Sequence, residues 1–484
     1  MKTTHKLLFP VLVLLAMACN KQISEIQPLT KITSSGELAT ESGIQTATLG
    51  TYASMTANFE FNLQDMGEDR GNNVTPQTWG PVTQATDAFF YQNSNSLTLG
   101  DSYYFVQACY SQILSANIVL DNMATQNTAA WSTDDQNNFR YSKGENLFIR
   151  ALTYFSLVRL YGKPYYLDGG ASLSVRLKKT GLITDNPAPS ATKDVYAFII
   201  SDLQQAAQLM KAPVTKTNSY ASTAAAWSLL SRVYLYMGGS IAAPVASANQ
   251  LAVAYADSVI DQTGGTYALL QGQDYVNMFA ADLNGSLGRA NGTSNHEIIF
   301  ALDNEYSLYG CYIGGIYHAD PAGTGGATFL PSSDLRAQFA TGDVRGTFFL
   351  LNPVSGFTET TKWLCLNLYY GTRAPGIFFR LAELYLNRAE ANAKLGNIAA
   401  ARADLKAIHT RAGLAASDID VLADANVITA ILKERRLELA FEGHNSFDYF
   451  RNGLPMTRIA ADYNGTSFTV QPDDPKVEFT LPNN

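Results

Sequence analysis

Residues 378–413 read FFRLAELYLNRAEANAKLGNIAAARADLKAIHTRAG. Leu381, Leu384, Tyr385, Ala389 and Ala393 recur at steps of three and four, which puts them on one stripe of a helix ending at Leu395-Gly396-Asn397. A second stripe of Ile398, Ala401, Leu405 and Ile408 follows at once. Gly413 then supplies the residue that best tolerates the left-handed backbone of a helix C-terminus. Two helices joined so tightly run antiparallel, and small residues at their contact positions make a tetratricopeptide-like hairpin. A third helix is predicted to open at Asp424 as N-cap, to carry Ile428, Ile431, Leu432, Arg435 and Leu439 on one side, and to close at Glu442-Gly443. Periodicity alone takes this segment, 378–453, no further than the end of a helical bundle.

One hairpin cannot bury its own apolar face, so stacked neighbours are required. Residues 151–162 (ALTYFSLVRLYG) and 226–238 (AWSLLSRVYLYMG) repeat the pattern of an apolar, aromatic-rich run closed by glycine. Further helical segments lie at 102–123, at 195–210 after Asn186-Pro187, and at 251–260. The total is roughly eight helices of useful length.

The 484 residues, 46% of them apolar, are enough for a large core. Lys and Arg number 34 against 42 acidic residues, a net charge of −8. That balance argues against nucleic acid as a partner, because such binding draws on basic surface.

The N-terminus carries an address. Lys2 and Lys6 precede an apolar run at 7–15, and Ala16-Met17-Ala18 stands directly before Cys19. Roughly nine apolar residues are too few to span ~30 Å of hydrocarbon as a helix. The segment reads as a signal peptide, residues 1–18, with Cys19 at the cleavage point as the acylated residue of a bacterial lipoprotein. Ala16 stands where a larger aliphatic residue is usual. Of the remaining cysteines, Cys109 falls four residues after Phe105 on a helix, as a buried small hydrophobe would. Cys311 and Cys365 could pair in an oxidising compartment.

The lipoprotein cysteine, residues 145–162 (ENLFIRALTYFSLVRLYG), 195–210, 380–390 (RLAELYLNRAE) and 434–444 (ERRLELAFEGH) together, in that order, resemble the SusD/RagB family. The resemblance implies a mainly α fold: four tetratricopeptide-like helix pairs carrying a loop-rich ligand face. Residues 19–484 would form one domain, with a helical scaffold at 40–264 and 375–453 and a loop-rich insertion at 265–372. It further implies a non-catalytic, surface-exposed outer-membrane lipoprotein without cofactors, which binds a glycan and partners a SusC-type TonB-dependent transporter. After Glu442-Gly443-His444, where members often carry Arg-Trp, this chain has Asn445-Ser446. Glu434, Arg435, Glu438, Glu442, Asp448 and Arg451 of this segment are candidates for a partly buried ionic network. Asn20-Lys21-Gln22 after the lipid cysteine is not the acidic run that favours surface export, which leaves periplasm-facing anchorage open.

Motifs of enzymatic chemistry are absent: no Gly-x-Ser-x-Gly, no phosphate-binding Gly-x-x-x-x-Gly-Lys, no His-Glu-x-x-His and no Cys-x-x-Cys. His296, His318 and Cys311 fit no zinc spacing, and Asp282-Leu283-Asn284-Gly285 lacks the rest of a calcium loop. Asp65, Glu68 and Asp69 could supply the two carboxyl groups of a glycosidase, with Arg70 beside them, but the same residues equally suit an acidic loop that hydrogen-bonds sugar hydroxyls.

Sugar rings stack their C–H faces on aromatic rings while their hydroxyls take amide, carboxylate or guanidinium partners. Two regions mix these types. In residues 65–101, Trp79 is the first choice, in a segment without helical or strand period, accompanied by Asp65, Asp69, Arg70, Tyr91 and Asn93. In residues 264–371, Tyr306, Tyr309, Tyr312 and Tyr317 cluster beside Asn304 and Asp320. Peptide capture of the RagB kind, a surface glycoside hydrolase, and a scaffold that binds only proteins are the other readings.

Overall fold

Serine and threonine caps set the starts of several helices, since each hydroxyl takes an amide that the first turn leaves unpaired. Thr40 Oγ1 accepts from Gly43 N at 3.1 Å before α1 (Glu41–Ala53), and α2 is Asp101–Ala124. Ser132 Oγ accepts from Asp135 N at 3.1 Å before α3 (Thr133–Tyr161), which is followed by α4 (Thr192–Leu209). Ser222 does the same for Ala225 at 3.1 Å at the start of α5 (Thr223–Met237), and α6 is Ala246–Ile260. Then come α7 (Leu381–Lys394), α8 (Ile398–Arg411), α9 (Val427–Glu438) and α10 (Asn445–Arg451). This is a computed structural model, and it describes residues 36, 38–55, 63, 66–80, 82–83, 86–92, 101–261, 265–279, 295–302, 314–318, 327–363 and 376–481.

The chain is mainly helical. Helices adjacent in sequence pack as pairs, α3 on α4, α5 on α6 and α7 on α8, while α2 covers α3 and α9 lies against α7 and α8. Although residues 261–380 intervene, α6 packs directly on α7. The stack therefore continues across the irregular region. One core cluster runs through it, joining Phe148, Leu152 and Phe155 of α3 to Leu203, Leu229, Val233 and Leu384.

Among the described residues, the strands pair two by two, always antiparallel. The pairs are β1 (Val74–Pro76) with β5 (Phe329–Pro331), β2 (Leu173–Arg176) with β3 (Pro189–Ala191), and β4 (Ile298–Leu302) with β8 (Gly376–Arg380). The others are β6 (Phe349–Leu351) with β7 (Thr358–Thr360), and β9 (Met456–Arg458) with β10 (Phe468–Val470). The β4–β8 ladder ties the irregular region to the start of α7, and a second core of Phe279, Phe329, Phe348, Trp363 and Phe441 fills that region.

The hairpin at 381–411 has the expected form, with Gly396 and Gly413 at φ +80° and +86°. The third helix departs from expectation. Asp424 opens a 3-10 turn, Asp424–Asn426, and its carboxylate accepts from Arg402 Nη2 at 2.7 Å instead of capping; α9 proper starts at Val427 and stops at Glu438. It stops early because Phe441, at φ +66°, turns the chain so that its own ring is buried, and α10 then begins.

The expected ionic network exists and reaches further than the sequence suggests. Arg380 pairs with Glu438 at 2.6 Å, Glu442 at 2.7 Å and Glu297 at 2.9 Å. Arg411 also faces Glu297 and Glu438, Arg345 meets Glu434 at 2.7 Å and Asp343 at 2.8 Å, and Lys362 meets Glu442 at 2.8 Å. A second group joins Arg451 to Asp448 at 2.6 Å and to Glu390, with Arg435 3.1 Å from Asp448. Burial alone would raise the Glu438 carboxyl, but Arg411, Arg380 and Arg345 together hold it well below the usual range. Cys109 is fully buried and free, as its helix position predicts.

Candidate functional site

The backbone of residues 66–80 and 86–92 is held by buried side chains from distant parts of the chain. Arg458 donates to the carbonyls of Gly71 at 2.8 Å and of Phe89 and Asp69, each at 2.6 Å. Its guanidinium lies 3.7 Å from the centre of the Phe89 ring, and burial lowers its pKa to about 10. Glu68 accepts from Asn73 Nδ2 at 2.6 Å, Phe441 N at 2.8 Å and Gly443 N at 3.3 Å. Burial outweighs these bonds and raises its carboxyl to about 7. Strand β1 pairs with β5, and Gln77 N donates to Thr328 O at 3.0 Å, so the chain emerges at Trp79 in one direction.

Trp79 is 38% exposed. Its indole meets Phe89, Phe90 and Tyr463 edge to face, with centroids 6.1, 6.1 and 5.8 Å apart, and Tyr463 stacks on Phe468 at 4.7 Å. The rings fix the indole from below and leave part of it open to solvent. Thr78 and Gly80 beside it are exposed, as are Asn464, Thr466 and Ser467 after Tyr463. Segments 77–83 and 463–468 contain no Asp, Glu, His, Lys or Arg. The arrangement is an uncharged aromatic platform with hydroxyl and amide neighbours. It offers stacking and hydrogen bonds to a neutral polyol.

Of the other named candidates, those among the described residues do not gather around it. Asp69, Arg70 and Tyr91 are buried. Arg70 donates to the Lys476 and Val477 carbonyls, and the Tyr91 hydroxyl donates to Arg70 O, so both pin the loop to the C-terminal segment. Tyr317 is fully buried, its ring 5.2 Å from Phe441. Asp65, Asn93, Tyr306, Tyr309 and Tyr312 lie outside the described residues, as do Cys19, Cys311, Cys365 and 282–285. Glu68 and Asp69 are both fully buried, so neither carboxyl faces a substrate. Among the described residues no His, Cys, Asp and Glu group is placed to hold a metal, and His318 is buried with Nε2 3.1 Å from Lys362 O. No described helix is long and apolar enough to cross a membrane.

Residues 367–482 match the SusD family, and residues 31–235 match the family described as starch-binding associating with outer membrane. Two crystal structures align over nearly the whole fold. A SusD superfamily protein of Bacteroides vulgatus is 25% identical, with a TM-score of 0.75 over 91% of this chain and 95% of that one. Another, from Bacteroides thetaiotaomicron, is 25% identical, with a TM-score of 0.75 over 90% of this chain and 95% of that one.

The chain belongs to the SusD family. A SusD-like protein P2 of Formosa agariphila is 29% identical over 238 residues, 48% of this chain and 43% of that relative; the match thus spans less than half of the relative's length. The SusD family is a carbohydrate-binding, non-catalytic one associated with the outer membrane. Tyr463, Phe468 and Arg458 follow the last predicted helix, where no periodicity marks them. The turn Asp462-Tyr463-Asn464-Gly465, an aromatic set among turn formers, was the available signal, and Asn464 indeed has φ +46°.

Proposed function

We propose that this SusD-family chain captures an oligosaccharide at the outer membrane without cleaving it and passes it to a SusC-type TonB-dependent transporter. Trp79 is the stacking surface in this reading, and Cys19 carries the lipid that holds the protein on the exposed face of the membrane. The observation that carries it is the half-open indole of Trp79, seated on Phe89, Phe90 and Tyr463 with only uncharged neighbours along 77–83 and 463–468. Asn93, Tyr306, Tyr309 and Tyr312 are proposed to complete the face from the two loop regions, and Asp65 to reach sugar hydroxyls. Capture followed by release needs single-site affinities of only micromolar to millimolar, ~−8 to −4 kcal/mol.

The test is titration of the chain lacking residues 1–19 against plant, fungal and microbial glycans. Saturable binding without shortened products supports the proposal. Tight binding of peptides and of no glycan would replace it with peptide capture of the RagB kind, and release of shortened products would make the protein a hydrolase.

A further inference from the structure

Most buried arginines of this chain face a carboxylate: Arg150 meets Asp202, Arg232 meets Glu383, and Arg345, Arg380, Arg411, Arg435 and Arg451 belong to the two ionic groups. Among the described residues, Arg70, Arg159 and Arg458 do not, and Arg458 is satisfied by three backbone carbonyls. Arg70 is 1% and Arg159 9% exposed. The two Nη2 bonds of Arg70 go to the carbonyls of Lys476 and Val477, and Arg159 Nη1 reaches only the Tyr236 hydroxyl, at 3.4 Å. Each Nε is buried without a hydrogen-bond partner. A buried guanidinium lacking a counter-charge is costly, and buried donors are normally satisfied.

Both side chains line one small cavity between the end of α3, α10 and residue 477. Its volume is about 30 Å³. No Asp or Glu lines it, Lys163 stands at its wall, and Arg451, which also lines it, is already paired with Glu390 and Asp448. Tyr236 and Phe447 also line it. A single water needs roughly 10–15 Å³ on this measure. The space therefore suits a small anion.

We propose that this cavity is a halide site, in which one chloride lies beside the Arg70 and Arg159 guanidiniums and supplies their missing counter-charge. The ion would tie the segment at Arg70, the end of α3 and the C-terminal segment together.

Two measurements on the protein lacking residues 1–19 test it: bromide soaking of crystals with anomalous diffraction, and melting in chloride against gluconate at equal ionic strength. The expected results are a bromide peak between Arg70 and Arg159 and a Tm about 1–2 °C higher in chloride, an increment that vanishes in Arg159→Gln. If that variant fails to fold, the bromide peak and the chloride increment of the unaltered protein decide. A water at the position, or equal melting in both salts, overturns the proposal; a bromide peak without a chloride increment means an adventitious ion only.

Discussion

Arg380 Nη1 and Glu438 Oε1 lie 2.6 Å apart with their side chains 1% and 0% exposed. The pair joins the end of β8 to the end of α9. Glu438 also faces Arg411 and Arg345, so one carboxylate balances three guanidiniums drawn from both the helical stack and the irregular region.

Glu438→Gln is therefore expected to destabilise the protein by about 3–5 kcal/mol, because it leaves buried positive charge uncompensated. The exposed pair Lys406–Asp420 provides the contrast, and Lys406→Ala is expected to cost less than ~1 kcal/mol. Urea unfolding of the two variants checks both values.

Glu68 sets a pH dependence. Its folded pKa of about 7 lies above the ordinary glutamate value of 4.5, so between these pH values the folded state holds a proton that the unfolded state has lost. Stability from this group is full below 4.5 and falls as pH rises to 7, by on the order of 3 kcal/mol. Glu68→Gln, which mimics the protonated form, is expected to flatten the loss between pH 5 and pH 8 in parallel urea titrations. An equal slope in both proteins would contradict this assignment.

Gly67 admits no side chain. A Cβ there would stand 2.2 Å from the Gly443 carbonyl oxygen, a backbone atom that has no room to move. Gly67→Ala is expected to cost at least ~1–3 kcal/mol. Gly50, exposed within α1, meets nothing within 4 Å, and Gly50→Ala is expected to gain ~0.5–1 kcal/mol. Opposite shifts in Tm distinguish the two.

Trp79→Ala is expected to weaken glycan binding about tenfold or more, a loss of ~1.4 kcal/mol or more, while Tm falls only slightly. Calorimetry and melting on the same samples separate the outcomes. A fall in stability matching the loss of binding would make Trp79 a pin for its loop.

Cys19→Ser in the full-length chain is expected to move the protein from the membrane fraction to the soluble one, since acyl chains contribute ~0.8 kcal/mol per buried CH₂. Retention in membranes would argue against Cys19 as the anchor.

Much of the helical stack was legible because a buried stripe repeats every three to four residues within a short segment. The parts of it that escaped notice have local causes. Residues 133–144 are polar apart from Phe139 and Tyr141, so the first half of α3 shows no stripe although Tyr141 and Gly144 are buried. Glycine and threonine dilute the pattern in α1. The ionic network was half visible: Glu434, Arg435, Glu438 and Glu442 sit at helical spacing, but Glu297, Arg345 and Lys362 reach them from segments with no periodicity.

By itself the sequence determined the helix pairs, the signal-peptide pattern before Cys19 and the resemblance to the family, because each is written in local order and spacing. Only the tertiary structure decided which aromatic and charged residues of the loops face solvent. Trp79, Arg70 and Tyr91 are near in sequence and all three are candidate ligand contacts, Trp79 the first choice. Trp79 rests on Tyr463 and stays open, whereas Arg70 and Tyr91 turn inward toward the C-terminal segment. The exposure of a loop side chain depends on partners hundreds of residues away, and no periodicity along the chain records them.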